Sequence, residues 1–252
     1  MLYTSILSPW GGLMESMRER RVLVSGATGG LGPAIVEAFL AVGAEVMAMS
    51  PTRTKLDELR ASLDQHRRLY VIDGDATDPV AVEKVLDAAE RGAGMDEGPR
   101  PLWAVVQVTG AFVGKPLIET SDDEVRRLVS LNVTSAVWMV RGALRRMIPN
   151  GGGRVVCIGA ASARAAHAGT AVYGATKSAL HRLVESAAIE AAPHGVTVNA
   201  VLPGTMDTGA NRDAMSAADR AGWIATRDVA KVVLDLAGDA GAKVNGALVS
   251  MP

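Results

Sequence analysis

The chain has a single cysteine, Cys157, among 252 residues. One thiol excludes an internal disulfide framework and fits a reducing compartment. Charge of one sign is also missing: the formal net charge is −1. That gives no footing for a polyanion partner, so no nucleic-acid role is expected, and nothing in the composition suggests disorder or an acidic tail. The four histidines, His66, His167, His181 and His194, are scattered. None has a Cys or His neighbour at ligand spacing, so no metal site is expected. Nowhere is there a run of about eighteen apolar residues, which excludes a spanning helix and makes the cytoplasm the default location. The first twenty residues lack a continuous hydrophobic run, carry no basic residue before Arg18 and are broken by Pro9, Gly11 and Gly12. This is no secretory signal. Residues 1–20 read as a loose arm, or as an over-long start with Met14 or Met17 as the true first residue.

What the chain does have is regularity from Arg21 onward. Nearly half of it, 48%, is apolar, enough for one full core, and residues 21–252 read as a single domain. Val22, Leu23 and Val24 form a short continuous apolar run, followed by a glycine-rich turn and a helical pattern through Ile35, Val36, Phe39 and Leu40. Continuous apolar strands alternating with amphipathic helices mark a parallel sheet covered on both faces. Further strands are expected near 45–49, 69–73, 102–108, 153–159, 196–202 and 246–250. Helices are expected near 30–42, 53–63, 79–91, 122–148, 171–192 and 226–238. The fold class is therefore α/β, a doubly wound parallel sheet of seven strands. Residues 91–101 and 204–225 break the rhythm. The second follows a strand, so it lies at the edge where open α/β sheets bind ligands.

Two constellations carry chemistry. Tyr173 and Lys177 stand four residues apart in a helical pattern, so they project from one face. A cation beside a phenol favours the phenolate and makes Tyr173 a candidate proton donor and acceptor; taken alone, the pair equally fits a core tyrosine and a surface lysine. The turn from Ser25 through Gly26, Thr28, Gly30, Leu31 and Gly32 lies between a strand and a helix. Its missing side chains let backbone N–H groups and a helix N-terminus approach a pyrophosphate.

The spacing Gly26-x-x-x-Gly30-x-Gly32, taken with Tyr173 and Lys177, resembles the short-chain dehydrogenase/reductase family. The likeness runs from about Arg21 to the C-terminus. It implies a Rossmann-type fold, a nicotinamide cofactor and a homodimer or homotetramer. Several further matches fall in order. Asp75 and Ala76 resemble the pair that meets the adenine. Gly110 is kept after the fourth strand. Asn132, in Ser130-Leu-Asn-Val133, falls where the family holds an asparagine that organises a water linking the lysine to solvent. Pro203, Gly204, Met206 and Thr208 resemble the segment that contacts the nicotinamide. By the same resemblance Tyr173 is the acid/base, and Lys177 holds the nicotinamide ribose and lowers the tyrosine pKa.

The second strand ends at Ser50, without a carboxylate, and Arg53 follows. A free 2′-OH calls for an acid there and a 2′-phosphate for an arginine, so NADP(H) is favoured over NAD(H). The other reading of Arg53 is a solvated first-turn residue, and no arginine precedes Gly30. Two departures stand out. Ala160 occupies the position of the family's substrate-binding serine; Ser162 could replace it if the strand continues, two residues on and on the same face, or it is simply a loop serine. Val108 and Thr109 replace the family's Asn-Ala, which removes an amide that supports the central strands or the adenosine. The expected activity is hydride transfer between a nicotinamide and a small or medium carbonyl or alcohol. The alternative is a nucleotide-binding sensor or scaffold with little turnover. A dihydropteridine-reductase-like enzyme is a minor option, because those enzymes resemble this chain in lacking the serine.

Overall fold

The structure is a computed structural model, which describes residues 17–92, 98–215 and 217–251. Seven parallel strands form one sheet in the order β3-β2-β1-β4-β5-β6-β7. The strands are β1 (Arg21–Ser25), β2 (Glu45–Ser50), β3 (Leu69–Asp73), β4 (Leu102–Gln107), β5 (Gly153–Ile158), β6 (Val196–Pro203) and β7 (Leu248–Met251). The helices between them are α1 (Gly32–Ala41), α2 (Arg53–Ser62), α3 (Pro79–Arg91), α4 (Asp122–Val129), α5 (Ser135–Met147), α6 (Ala171–Ala191), α7 (Gly209–Ala214) and α8 (Thr226–Ala237). Strand order reverses between β1 and β4, which opens a crevice at the carboxyl edge.

Strand alternation explains the two cores. Val22 and Val24 of β1, with Val46 and Ala48 of β2, pack with Ile35, Phe39, Val229 and Val233 from α1 and α8. Leu23, Met47 and Met49 point the other way and pack with Val85, Leu86, Met139 and Val184 from α3, α5 and α6. Both faces are buried, so the strands read as unbroken apolar runs.

The single helix expected over 122–148 is divided. A π-helical turn, Ser130–Thr134, lies between α4 and α5. Two hydroxyls bond back to the widened turn: Thr134 donates to the Ser130 carbonyl at 2.8 Å and Ser135 to that of Leu131 at 2.7 Å. Such turns occur disproportionately at functional positions, and Asn132, inside this one, is buried. The last strand begins at Leu248 rather than 246, because Gly246 adopts a left-handed turn with φ 69°. The 204–225 segment is not an open loop: it contains α7 and a 3-10 turn over Ala217–Gly222. The 91–101 segment falls partly outside the described residues. So does most of the N-terminal arm, but Met17 is already fully buried in the core and Glu19 N–H donates to the Gly43 carbonyl at 3.0 Å. Met17 and this bond tie the end of the arm to the domain, while Arg18 and Glu19 are exposed.

At the amino edge, opposite the crevice, Arg21 and Glu45 form a fully buried ion pair across β1 and β2. Arg21 Nε and Nη2 donate to Glu45 Oε2 at 3.0 and 2.9 Å. Its other N–H groups go to the carbonyls of Ala89, Glu90 and Gly98. Glu45 Oε1 also lies 3.4 Å from Nη1 of the partly exposed Arg100, so removing Arg21 leaves the buried carboxylate with that one weaker partner, and removing Glu45 leaves the Arg21 charge in the interior. We expect Arg21→Met to lower unfolding free energy by about 3–5 kcal/mol, read by urea titration; a loss under about 1 kcal/mol would show that the pair does not hold this edge.

Candidate active site

The site is built where the first turns of α6 meet the end of β5 and the loop that follows β4. Helix α6 buries Leu180, Val184, Ala187, Ala188 and Ala191 against the sheet. Tyr173, Lys177 and His181 follow one another at one-turn spacing, so they stack along one face. Lys177 is buried, and its Nζ donates to the carbonyl of Ile158, the last residue of β5, at 2.9 Å. Burial disfavours its charge and draws the ammonium down to about 8, opposed only by the nearby Cys157 thiol. Burial likewise pushes the Cys157 thiol up to about 12.

Asn132 ties the loop after β4 to α6. Its Oδ1 accepts from Ala111 N–H at 2.9 Å, and its Nδ2 donates to the Ala111 carbonyl at 3.0 Å and to Thr176 Oγ1 at 3.1 Å. Thr176 Oγ1 donates in turn to the Tyr173 carbonyl at 2.8 Å. The asparagine therefore fixes backbone and helix directly. Gly110 sits between these groups: a Cβ there would stand 2.8 Å from Asn132 Oδ1 and 3.2 Å from Lys177 Nζ. Only glycine leaves room for both.

Tyr173 is pushed up to about 12 by burial. Desolvation is the cause of that shift, and the Lys177 ammonium is directed to the Ile158 carbonyl. The Phe112 ring meets the Tyr173 ring edge-on, with centroids 4.8 Å apart, while Phe112 itself remains 61% exposed. The sequence offered no signal for Phe112.

The structure also settles the geometry around Ala160. Strand β5 stops at Ile158 and a 3-10 turn spans Ala161–Arg164, so Ser162 is exposed in a turn. The condition under which it could replace a serine at 160 fails, because the chain is no longer extended there. His181 fills the space behind: its Nε2 accepts from Ala160 N–H at 3.4 Å, and a Cβ on Gly159 would come within 2.6 Å of that atom. Burial, then Lys177 and Arg164, hold the imidazole below its usual pKa, with Glu185 opposing. Judged by sequence, His181 was one scattered histidine; its spacing one turn beyond Lys177 was the signal available.

The glycine turn joins this site from the other side. Gly26 takes φ 73°, and a Cβ there would lie 2.7 Å from Thr109 N. Ser25 Oγ donates to Gln107 Oε1 at 2.8 Å, which leaves Thr109 Oγ1 to donate to Ser25 Oγ at 2.6 Å. Gln107 Nε2 continues to Ser135 Oγ at 2.9 Å. These side chains support the central strands where an asparagine amide was judged missing. The first turn of α1, entered through Leu31 and Gly32, has no side-chain cap and no acidic residue. A pyrophosphate fits there, facing backbone N–H groups and the helix's positive end.

Gly30 lies under Thr208, whose Cγ2 would be 2.9 Å from a Cβ. Thr208 also caps α7, accepting from Asn211 N–H at 3.3 Å. Pro203 ends β6, Gly204 N–H donates to the Met251 carbonyl at 2.8 Å, and Met206 bridges to Ile224. Thr28 and Ser50 share a hydroxyl hydrogen bond of 2.7 Å. Arg53 is 56% exposed and paired with Asp57. Asp75 accepts from Thr77 N–H and Oγ1, both at 2.8 Å, and Ala76 is buried beside it. Among the described residues, no cluster of His, Cys, Asp or Glu could hold a metal, and no helix is long and apolar enough to cross a membrane.

Comparison with known proteins agrees with this geometry. The 3-oxoacyl-[acyl-carrier-protein] reductase FabG of Salmonella typhimurium is 28% identical over 240 residues, covering 92% of this chain and 95% of that protein. The L-rhamnose 1-dehydrogenase (NAD(P)(+)) of a Sphingomonas species is 29% identical, covering 93% and 95%. Among solved structures, a short-chain type dehydrogenase/reductase from Mycobacterium ulcerans superposes with a TM-score of 0.86 at 27% identity, covering 94% of this chain and 89% of that one. The family model for short chain dehydrogenase matches residues 20–219, and the chain belongs to that family of oxidoreductases.

Proposed function

We propose that the chain uses a nicotinamide dinucleotide to interconvert a small or medium carbonyl compound and its alcohol, with Tyr173 as the acid/base. The observation that carries this reading is the meeting of two halves at Gly110. From one side come Asn132 and Lys177. From the other, the adjacent Thr109 lies against Gly26 and Ser25 of the glycine turn. A phosphate-binding turn and an acid/base helix therefore share one loop.

The residues present fit the cofactor. The turn has no side chain at Gly26, Gly29 or Gly30, and the first turn of α1 has neither a side-chain cap nor an acid to oppose a phosphate. When bound, the nicotinamide supplies or accepts the hydride at the substrate carbon. Tyr173, whose phenol is protonated at neutral pH even at its ordinary value of 10.0 and is pushed further up to about 12 by burial, delivers that proton to the developing alkoxide. An ammonium has three N–H groups, and Lys177 commits one to the Ile158 carbonyl. The others are available to ribose hydroxyls. With Ala160 carrying no hydroxyl and Ser162 out in a turn, Tyr173 is the side-chain donor we assign to the substrate oxygen. We favour NADP(H): β2 ends in Ser50 rather than an acid, and Arg53 follows it.

Tyr173→Phe tests the reading. Turnover of NADPH with a panel of ketones and quinones should fall at least about a hundredfold, with the cofactor Kd nearly unchanged; substantial residual activity would remove Tyr173 from the mechanism. Lys177 makes a separate prediction about stability. Its pKa falls from 10.5 unfolded to about 8 folded, so the unfolded chain binds more protons between those values. Its contribution therefore rises with pH across that window. The unfolding free energy of the parent should climb relative to Lys177→Met from about pH 8 to 10.5. A difference flat with pH would mean that the lysine is not held desolvated.

A further inference from the structure

We propose that Asp73, at the end of β3, sets the balance between the two nicotinamide dinucleotides by competing with a 2′-phosphate for Arg53. This rests on the cofactor reading above. In the parallel pairing of β2 with β3, the residue opposite Ser50 is Asp73. The two strand ends are held together just beyond this point, where Gly74 N–H donates to the Ser50 carbonyl at 3.0 Å. Ser50 is bonded through its hydroxyl to Thr28 of the glycine turn. The three chain segments that border an adenosine ribose in this fold thus converge on Ser50. The carboxylate missing from the end of β2 is supplied by the neighbouring strand.

Arg53 opens α2 between these groups. Its Nε donates to Asp57 Oδ1 at 3.0 Å, and its Nη1 lies 3.7 Å from Asp73 Oδ1. The side chains of Arg53 and Asp73 are 56% and 64% exposed. Exposed pairs of this kind are weak, so the guanidinium can leave for a 2′-phosphate, which offers charge-assisted, two-point bonding. Asp73 stays behind on a strand end, and its charge opposes the phosphate that Arg53 attracts. Toward a free 2′-OH the same carboxylate is an acceptor. Asp57 holds the same guanidinium from α2, one turn along, and lies outside the β2–β3 strand pairing. The two acids therefore have different consequences: both restrain Arg53, and only Asp73 also stands across from the ribose-facing strand end.

Titration of NADPH and NADH fluorescence, at one ionic strength, into the parent and into Asp73→Asn, Asp57→Asn and Arg53→Ala tests this, with thermal melting of each variant as a control. Asp73→Asn should raise the preference for NADPH, as the ratio of the two Kd values, by about threefold or more. Asp57→Asn should change it less than twofold, and Arg53→Ala should remove it. A ratio that stays put or moves toward NADH in Asp73→Asn overturns the proposal, as does an equal response from Asp57→Asn. Binding of neither dinucleotide by the parent would remove the cofactor reading and this proposal with it. Tight binding with an unchanged ratio removes this proposal alone.

Discussion

A single buried ammonium governs the arrangement of the site. Moving a cation out of water costs several kcal/mol unless fixed dipoles replace the solvent. Lys177 meets that demand with the carbonyl at the end of β5. The bond requires α6 to lie at one height along the sheet, and that height also places Tyr173 one turn toward the crevice and His181 one turn away. It requires Gly110 as well, because any side chain there would collide with the ammonium and with Asn132. Position, dryness and composition of the site follow from one desolvated charge. Burial also pushes the phenol up to about 12, which reinforces the protonated state that an ordinary phenol already has at neutral pH.

The polar groups here anchor chain ends more than they contact one another. Asn132 grips Ala111, Lys177 grips Ile158, and His181 takes the N–H of Ala160. Each reaches backbone at or shortly past a strand's carboxyl end, where ladder hydrogen bonds stop and backbone groups need other partners. The exit of β5 is pinned at two points by two successive turns of α6. Ala160 faces the site without a hydroxyl, and its own N–H is occupied by the imidazole. The loop after β4 is fixed at Ala111 and packed at Thr109. What remains comparatively free is Phe112, an exposed ring resting on Tyr173.

Most of the architecture was legible in the sequence because both faces of the sheet are buried. Strands such as Val22-Leu23-Val24 are unbroken apolar runs, and the helices between them carry an apolar stripe. Glycines mark their ends. The legible part of the site was whatever depends on spacing within one element: Tyr173 with Lys177, and Gly26 with Gly30 and Gly32. Less legible was what depends on where an element stops. Ser162 looked like a same-face substitute for a residue at 160, but β5 ends two residues too early for strand geometry to apply. The widened turn around Asn132 was hidden as well, since Ser130 through Thr134 read as ordinary helix and only the inward displacement of Asn132 reveals the change.

Contacts between elements left the weakest trace. Support for the central strands was expected to be lost with the asparagine amide at 108, yet the residues on either side, Gln107 and Thr109, rebuild it through hydroxyls on β1 and α5. The adenosine end shows the same effect with greater consequence for chemistry. Along β2 the chain ends in a neutral serine and then an arginine, which points to a phosphate. Across the sheet, the partner of that serine is Asp73, 23 residues further along the chain and brought opposite only by strand register. A parallel sheet makes every strand end a neighbour of another strand's end, so the charge presented to a ligand at the carboxyl edge is a property of strand pairs. Reading one strand at a time gives the sign of one residue, whereas the ligand meets the sum.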